Sequence, residues 1–465
     1  MTSNHIIPSH DIQLFAADSQ KYFYHTPSGL IFKVANEQLE RYISICTGQQ
    51  PAEGAERFCE HVHGIIQKTV AEYGQIDAAS VPANEPLPFS PSCVVLNVAG
   101  RCNLVCPYCF ARSGNGFAFN SMSAEECMRA IEFMFERNPD AGGYNITFFG
   151  GEPFLEFDTM REVVRRTEAM FGGKKIRFSV TTNGTVMTEA MAEFVKQHGI
   201  AMLISIDGPQ AITNALRPHV AGRDTYADIM RSLELLRQHG ADFELRATIA
   251  ADAADLVGTA RFFEQLGAPY HFVFCFDSQH GSNEHSNWNA PALDGLAAQL
   301  DALFGFYLGF LRSKTYIWGY WFLEHLHGIA ARKLNPVTCG SGVNMFSATD
   351  GGGVFGCMNF ASNPETAIGD LQHGVDEERR LRFGAWPTCH TQRCAACSAR
   401  FYCGGGCLHE RYTALGSTSS PNEQQCALRR LLFEKMLSYY QHIKNHLPEA
   451  MVRISEHRQH LPQAC

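Results

Sequence analysis

The first part of the chain changes from a two-residue to a 3.6-residue hydrophobic period. Short apolar runs predict three strands, at 12–15, 22–24 and 30–34. Asn36 can then cap a helix whose apolar face carries Leu39 and Ile43. A second helix is predicted with one apolar side, made of Phe58, Val62, Ile65, Ile66, Val70 and Tyr73. Because this pattern contains no catalytic cluster, residues 1–80 are predicted to form a small α+β binding module, with a structural extension as the alternative.

In the second part, predicted strands alternate with amphipathic helices. The six strands are predicted at 94–99, 145–149, 176–183, 201–207, 243–250 and 271–276. Ser123 and Glu126 form a capping-box pattern at the start of one helix. Repeated strand–helix units favour a parallel sheet with right-handed crossovers. We therefore expect an α/β fold over residues 92–325, an open, TIM-like partial (β/α)6 barrel with its chemistry at the C-terminal ends of the strands.

The remaining segments lack a regular period. Three prolines between Pro82 and Pro88 predict a stiff linker at 81–91. Residues 326–430 are rich in Cys and Gly, so their order is expected to come from bound metal more than from an apolar core. A helix is predicted near 427–442, within a C-terminal segment 431–465 that ends in a loose tail.

Composition and charge restrict the class of protein. With 45% hydrophobic and 18% charged residues, the 465-residue chain is globular. Its 38 basic and 47 acidic residues give a net charge of −9, which argues against nucleic acid or a membrane surface as partner. The N-terminal residues do not resemble a signal peptide, and the apolar stretch 302–311 is too short to cross a bilayer. We expect a cytoplasmic protein whose 17 cysteines stay reduced and include metal ligands.

The first cysteine cluster directly follows the first strand of the predicted barrel. Cys102, Cys106 and Cys109 lie within eight residues, so they can ligate three irons of one [4Fe–4S] cluster and leave the fourth iron open. A structural zinc site is the alternative, but zinc needs a fourth ligand that the local sequence does not offer.

This CxxxCxxC spacing, with Tyr108 before its last cysteine, resembles the signature of radical S-adenosylmethionine (SAM) enzymes. After the second barrel strand, Gly150, Gly151, Glu152 and Pro153 resemble the GGEP motif of the same family. The resemblance implies that these residues and Tyr108 help to bind SAM, with Glu152 accepting a hydrogen bond from its ammonium group. Glycines at this point would let the backbone approach a ligand closely.

Two further loops resemble segments of this family that contact the ribose and methionyl parts of SAM. They contain Asn183, after the third strand, and Ser205, at the fourth. Ordinary turn chemistry is the alternative reading of both. The resemblance also implies that Arg217 pairs with the SAM carboxylate, with Arg246 as a weaker candidate, unless either residue is simply ion-paired within the protein.

A second cysteine set matches, spacing by spacing, the SPASM extension of peptide-modifying radical SAM enzymes. By that resemblance a fully ligated outer cluster is held by Cys394, Cys397, Cys403 and Cys426, and an inner one by Cys339, Cys357 and Cys407. Three [4Fe–4S] clusters per chain are therefore implied, one binding SAM and two auxiliary. Paired zinc knuckles are the alternative, although zinc could not transfer electrons.

The inner set departs from sulfatase-maturating relatives, which supply a fourth cysteine near the position of Met345. Unless Cys389 replaces it, one iron stays open and could bind a substrate thiol as thiolate. A thiolate held beside a carbon radical suits the formation of a sulfur-to-carbon bond. The remaining cysteines have no cluster-like context and are expected to be buried thiols; they are Cys46, Cys59, Cys93, Cys127, Cys275 and Cys465.

With this family in view, residues 1–80 resemble the winged-helix-like peptide-recognition element of maturases that act on ribosomally made peptides. Such an element binds a leader peptide by strand addition. The resemblance implies an enzyme that accepts an electron from a flavodoxin- or ferredoxin-type donor, cleaves SAM reductively and abstracts hydrogen from a precursor peptide.

We favour formation of a Cys thioether, as in the maturases of ranthipeptides and of quinohaemoprotein amine dehydrogenase. The alternatives are carbon–carbon or cyclophane crosslinking, epimerisation, sulfatase-type formylglycine formation and, outside enzymes, an iron–sulfur electron carrier or scaffold. No catalytic acid or base can be named from the sequence.

Overall fold

The computed structural model describes residues 7–51, 55–73, 85–113, 116–276, 284–384, 386–387 and 390–456. Three predictions concern residues outside these ranges: the linker at 81–84, Cys389 as an inner ligand, and Cys465 as a buried thiol.

The N-terminal unit is the predicted three-stranded sheet followed by two helices. Its elements are β1 (Ile12–Ala17), β2 (Gln20–His25), β3 (Leu30–Lys33), α1 (Glu37–Cys46) and α2 (Glu56–Tyr73). The strands are antiparallel in the order β1-β2-β3. Asn36 caps α1, since its side chain accepts a hydrogen bond from the Leu39 amide at 2.8 Å. The predicted apolar side of α2 is wrong at two positions, because Ile65 and Tyr73 are 55% and 60% exposed.

Opposite faces of this sheet pack against different partners. Phe15 is paired with Tyr22 across the strands, and both side chains join the main core. Ile12 and Phe23 lie on the other face and join a separate small core with residues of α1 and α2. The two-residue period of the strands therefore places the sheet between its own helices and the rest of the molecule.

The central region is the predicted open partial (β/α)6 barrel. Its elements are β4 (Cys93–Ala99), β5 (Arg112–Ser113), β6 (Gly116–Phe117), α3 (Ala124–Arg137), β7 (Tyr144–Gly150), α4 (Phe157–Phe171), β8 (Ile176–Thr182), α5 (Glu189–Gln197), β9 (Ala201–Ser205), α6 (Gln210–Leu216), α7 (Thr225–Gln238), β10 (Phe243–Ile249), α8 (Leu256–Leu266), β11 (Tyr270–Phe274), α9 (Ala290–Ser313) and α10 (Tyr320–Ala330). The order β11-β10-β9-β8-β7-β4 is parallel throughout, and all six predicted strands are confirmed. The capping box at Ser123 and Glu126 is present at the start of α3.

The cysteine-rich region continues the barrel sheet. Its elements are β12 (Met345–Ala348), β13 (Gly353–Phe355), β14 (Gly369–Asp370), β15 (Gly374–Val375), α11 (Glu377–Phe383), α12 (Gln392–Ala395), α13 (Arg400–Cys403), α14 (Leu408–Leu415), α15 (Glu423–His446) and α16 (Ala450–Glu456). Strand β12 runs parallel to β4, and β13 to β15 follow antiparallel.

Apolar packing contributes more to this region than its lack of periodicity predicted. Phe346, Val354, Phe360 and Phe383 are buried in the same core as the barrel. The strands are too short to produce a readable hydrophobic pattern, so the prediction underestimated this core. The boundary predicted between residues 325 and 326 falls inside α10. Within the ranges given above, no helix combines the length and the apolar character that crossing a membrane requires.

Candidate active site

The loop with Cys102, Cys106 and Cys109 starts where β4 ends, at the C-terminal edge of the parallel sheet. The segment after α6 holds this loop by two backbone hydrogen bonds. The Val105 amide donates to the Pro218 carbonyl at 2.9 Å, and the Val220 amide donates to the Asn103 carbonyl at 3.0 Å. The three thiols are therefore carried on a loop that residues 218–220 hold at two points.

Gly150 and Gly151 bring the end of β7 into contact with the beginning of the cysteine loop. The Gly151 amide donates to the Ala99 carbonyl at 2.6 Å. A Cβ on Gly151 would lie 2.1 Å from the Arg101 carbonyl oxygen, and one on Gly150 would lie 2.4 Å from that of Ala99. These glycines therefore let the backbone after β7 lie against the cysteine loop, and their predicted approach to a ligand stays a prediction.

Glu152 is completely buried and fixes the loop that follows β8. Its carboxylate accepts hydrogen bonds from the amides of Phe154 and Asn183, at 3.1 and 2.7 Å, and from the Thr182 hydroxyl at 2.8 Å. Burial raises the pKa of Glu152 to about 7, against the lowering effect of these three donors. Pro153 begins the short 3₁₀ turn that leads into α4. The predicted contact of Glu152 with an ammonium group stays a prediction.

Asn183 connects the loop after β8 to the cysteine loop. Its side-chain amide donates to Asn103 Oδ1 at 2.9 Å and lies 3.6 Å from Cys102 Sγ. Its side-chain oxygen accepts from the amide and the hydroxyl of Thr185, at 3.0 and 2.6 Å. Asn183 is therefore oriented by several hydrogen bonds and presents a donor to a candidate ligand sulfur.

Asp207, just after β9, forms a buried polar group with Tyr108 and Arg217. Its carboxylate accepts from the Tyr108 hydroxyl and from the Thr248 amide, and one of its oxygens lies 3.0 Å from Arg217 Nε. The Arg217 guanidinium also lies 5.6 Å from the centroid of the Tyr108 ring. In this structure Arg217 has an ion-pair partner within the protein, which is the alternative that the sequence left open.

Asp207 was not among the site residues predicted from the sequence, although it lies two residues after Ser205, which was. Ser205 and Arg246 lie on neighbouring strands, where Arg246 Nη2 is 3.5 Å from Ser205 Oγ. Burial lowers the pKa of Arg246, and the nearby charge of Arg217 lowers it further. Both residues therefore belong to the polar surroundings of Asp207.

Burial favours the protonated form of two thiols of the first cluster, those of Cys102 and Cys106. Burial raises the pKa of Cys102 to about 11, with the charge of Glu152 as a second cause. It raises the pKa of Cys106 to about 12, although the nearby Arg217 acts in the opposite direction. Binding of a metal must therefore displace protons from these thiols, which couples binding to pH.

Cys339, Cys357 and Cys407 come together from three separate segments. Burial raises the pKa of Cys357 to about 12, and the neighbouring Cys339 raises it further. The pKa of Cys407 is also raised by burial, and Cys357 and Cys339 both contribute to that shift. Cys339 is the exposed member of the set and lines a cavity of about 210 Å³.

The four cysteines assigned to an outer cluster also meet. Cys394, Cys397, Cys403 and Cys426 line one small cavity, together with several arginines. The Arg411 guanidinium donates to Cys394 Sγ at 3.4 Å. Positive charge beside these sulfurs suits thiolates bound to a cluster. The four outer cysteines thus line one cavity, and their role as ligands of a cluster stays a prediction.

Comparison with known proteins places the barrel in a family. Residues 96–249 match the model of the radical SAM superfamily. An uncharacterised protein of Methanocaldococcus jannaschii is 29% identical over 156 residues, which cover 34% of this chain and 52%, about half, of that relative. A serine-type anaerobic sulfatase-maturating enzyme of Klebsiella aerogenes is 26% identical over 357 residues, 72% of this chain and 82% of the relative. The radical SAM cyclopropyl synthase TigE of Paramaledivibacter caminithermalis is 22% identical over 359 residues, 74% and 73% of the two chains.

Solved structures agree in fold. The structure of anSMEcpe with bound AdoMet and Cp18Cys peptide has a TM-score of 0.61 at 19% identity and covers 79% of this chain and 99% of that one. The structure of Streptococcus suis SuiB bound to precursor peptide SuiA has a TM-score of 0.52 at 12% identity. The match covers 90% of this chain and 99% of SuiB. Residues 96–249 therefore carry a radical SAM domain, and the chain is similar over 72% and 74% of its length to a sulfatase-maturating enzyme and to a radical SAM cyclopropyl synthase.

Proposed function

We propose that this radical SAM enzyme modifies a ribosomally made precursor peptide and installs a thioether between a Cys sulfur and a carbon. The proposal starts from the three thiols of Cys102, Cys106 and Cys109, which fit a [4Fe–4S] cluster with one open iron. When bound, this cluster and SAM supply the one-electron chemistry that removes a hydrogen atom from a carbon of the substrate.

The spacing of the thiols supports clusters over zinc. Four-coordinate zinc, with Zn–S bonds of about 2.3 Å, needs sulfurs about 3.8 Å apart. Among the cysteines that the structure describes, no three sulfurs lie within 4.8 Å of one another. One zinc ion would therefore not hold three of these sulfurs at the distances shown, and we assign one auxiliary [4Fe–4S] cluster to each of the outer and inner sets.

The protein residues around the first thiols hold the reacting groups in place. Asn183 presents a donor to the sulfur of Cys102, and Glu152 holds the backbone of Asn183 from the opposite side. We assign the loops of Gly150, Gly151, Pro153 and Ser205 to the SAM pocket, because they surround the same strand ends. Arg217 and Tyr108 shape one wall of this pocket through Asp207.

The exposure of Cys339 is the observation that carries the thioether proposal. Met345, near the position where the resemblance places a fourth cysteine in sulfatase-maturating enzymes, begins β12 and offers no thiol. Cys339, Cys357 and Cys407 would then leave one iron open, and we propose that a substrate side chain reaches it from the cavity that Cys339 lines. An iron held by Cys339, Cys357 and Cys407 would bind a substrate thiol as thiolate, and its cluster would take up the one electron released when the sulfur joins a carbon radical.

The N-terminal sheet supplies a binding edge for a leader peptide. In the described ranges β3 pairs with β2 alone, so its other edge is available for strand addition. A flavodoxin- or ferredoxin-type protein is the proposed electron donor. Formylglycine formation is the second candidate function, favoured by the similarity to a sulfatase-maturating enzyme over 72% of this chain.

Mass spectrometry of a co-expressed peptide distinguishes the two functions. A thioether removes two hydrogens and leaves a cysteine that no longer reacts with iodoacetamide. Oxidation of a serine to formylglycine removes the same mass, so the peptide is also treated with a hydrazide, which reacts only with the aldehyde. Cysteine-containing peptides encoded beside this chain are the first substrates to test, and a hydrazide adduct would contradict the thioether.

Metal content tests the cluster assignment separately. Anaerobic reconstitution should give about 12 Fe per chain for three [4Fe–4S] clusters. Replacing Cys102, Cys106 and Cys109 together by Ala should remove about 4 Fe and abolish reductive cleavage of SAM. Cys59→Ala, a change at a buried thiol of the N-terminal unit, is the matched control. It should keep the full iron content and the reductive cleavage of SAM. Cleavage of SAM by the triple variant would overturn the mechanism.

A further inference from the structure

Two histidines and an aspartate from opposite ends of the chain meet between the N-terminal sheet and the C-terminal helix. His442 and His446 are four residues apart on α15 and therefore share one face of that helix. Asp18 lies in the turn between β1 and β2. His442 Nδ1 is 2.6 Å from Asp18 Oδ1, and His446 Nε2 is 2.9 Å from Asp18 Oδ2.

The arrangement has the composition and spacing of a cation site. One ligand atom from each of the three side chains lies within 4.8 Å of the other two. In the ranges that the structure describes, this is the only such group of His, Cys, Asp and Glu. Two imidazoles and one carboxylate suit a divalent transition metal such as Zn²⁺, and three protein ligands leave at least one position for water.

The surroundings orient the carboxylate and leave the group accessible. The Asn445 side chain donates to Asp18 Oδ2 at 3.0 Å and to the Tyr22 hydroxyl at 3.2 Å, as outer partners of metal ligands do. The side chains of Asp18, His442 and His446 are 22%, 26% and 52% exposed, so a hydrated cation can reach them.

We propose that Asp18, His442 and His446 bind one Zn²⁺-class divalent cation, which clamps the N-terminal sheet to α15. The cation replaces the direct contacts of the two imidazoles with Asp18 by coordinate bonds to all three side chains. Because the ligands are 424 positions apart in the chain, such a clamp restrains the unit proposed to recognise the leader peptide. This site is separate from all three groups of cysteines.

Zinc content measured on the cluster-loaded protein tests the site. The full chain is reconstituted with iron and sulfide, incubated anaerobically with Zn²⁺, and washed with a weak chelator before elemental analysis. His442→Ala and Asp18→Asn are the test variants, and the Asn variant retains the shape of the turn. His373→Ala is the matched control, because His373 is also exposed but contacts the single carboxylate of Asp370.

Wild-type protein and the His373→Ala control should each retain about one Zn²⁺ more than the two test variants, whose affinity should fall about tenfold or more. Zn²⁺ should also slow amide hydrogen exchange in the β1–β2 turn of the wild type but not of His442→Ala. Iron content should be equal in all four proteins, which separates this result from the cysteine clusters. Equal zinc in all four proteins, or no zinc in any of them, would overturn the proposal.

Discussion

The ring of Phe110, next to the last cysteine of the first cluster, lies against the ring of His409, two residues after Cys407. Their centroids are 6.2 Å apart and their planes meet at 67°. His409 also lies edge-on to Phe360, with centroids 5.4 Å apart. The loop proposed to bind SAM and the inner cysteine set are therefore joined by one aromatic contact.

Replacing His409 should show that its ring acts by packing. Burial lowers the pKa of His409 to about 4, so the ring is neutral at pH 7. His409→Ala should lower the free energy of unfolding by about 2 kcal/mol, because it removes a buried ring between two aromatic neighbours. His409→Phe should restore most of this loss. Urea unfolding of the wild type and both variants measures these free energies. If His409→Phe is as unstable as His409→Ala, the imidazole nitrogens are needed.

A methyl group at Gly151 should disrupt the first cysteine loop. The new Cβ would lie 2.1 Å from the Arg101 carbonyl, so the loop has to move. Gly151→Ala should lose about 4 Fe per chain and about tenfold or more of the rate of reductive SAM cleavage. Gly142→Ala is the control, since no atom lies within 4 Å of a Cβ there. Full iron loading of the Gly151 variant would show that the contact is unimportant.

The barrel could be predicted because its strand signals are local, whereas the inner cysteine set, spread from Cys339 to Cys407, could be grouped only by its resemblance to a family spacing. Each strand is a short apolar run, and each cysteine set is defined by its spacing. The contact of Tyr108 with Asp207 joins residues 99 positions apart, and only closure of the parallel strands brings them together. The exposure of Ile65 could not be predicted either, because the width of the apolar side of α2 depends on which neighbours cover it.

His271 should make the protein less stable at acid pH. Burial, assisted by the charge of Arg246, lowers the pKa of this side chain to about 3 from its usual 6.5. As the pH falls below 6.5, His271 binds a proton in the unfolded chain but stays neutral in the folded protein. The free energy of unfolding therefore decreases progressively towards pH 3. The slope of this contribution approaches about 1.4 kcal/mol per pH unit.

His271→Gln removes the titrating group and can still bond to the Tyr320 hydroxyl, which His271 contacts through Nδ1. Unfolding free energies of both proteins are measured in urea between pH 5.5 and 7.5, and their difference is plotted against pH. The wild type should lose more stability than the variant as the pH falls. A difference that does not change with pH would contradict the assigned pKa.

The Asp11–Arg400 pair should couple the N-terminal sheet to the outer cysteine loop. Arg400 lies between Cys397 and Cys403, and its guanidinium pairs with Asp11 and donates to the His10 carbonyl at 3.0 Å. The two side chains are only 8% and 14% exposed. Removing either partner leaves the other charge largely buried, so Asp11→Asn and Arg400→Met should each cost about 3 kcal/mol.

A double-mutant cycle measures this coupling, because the double variant leaves no unpaired charge. Its loss of unfolding free energy should be smaller than the sum of the single losses by about 1 kcal/mol or more. The Lys21–Glu40 pair of the same N-terminal unit is the control, since its side chains are 69% and 50% exposed and should couple weakly. If the Asp11 and Arg400 losses simply add, the ion pair does not hold the two regions together.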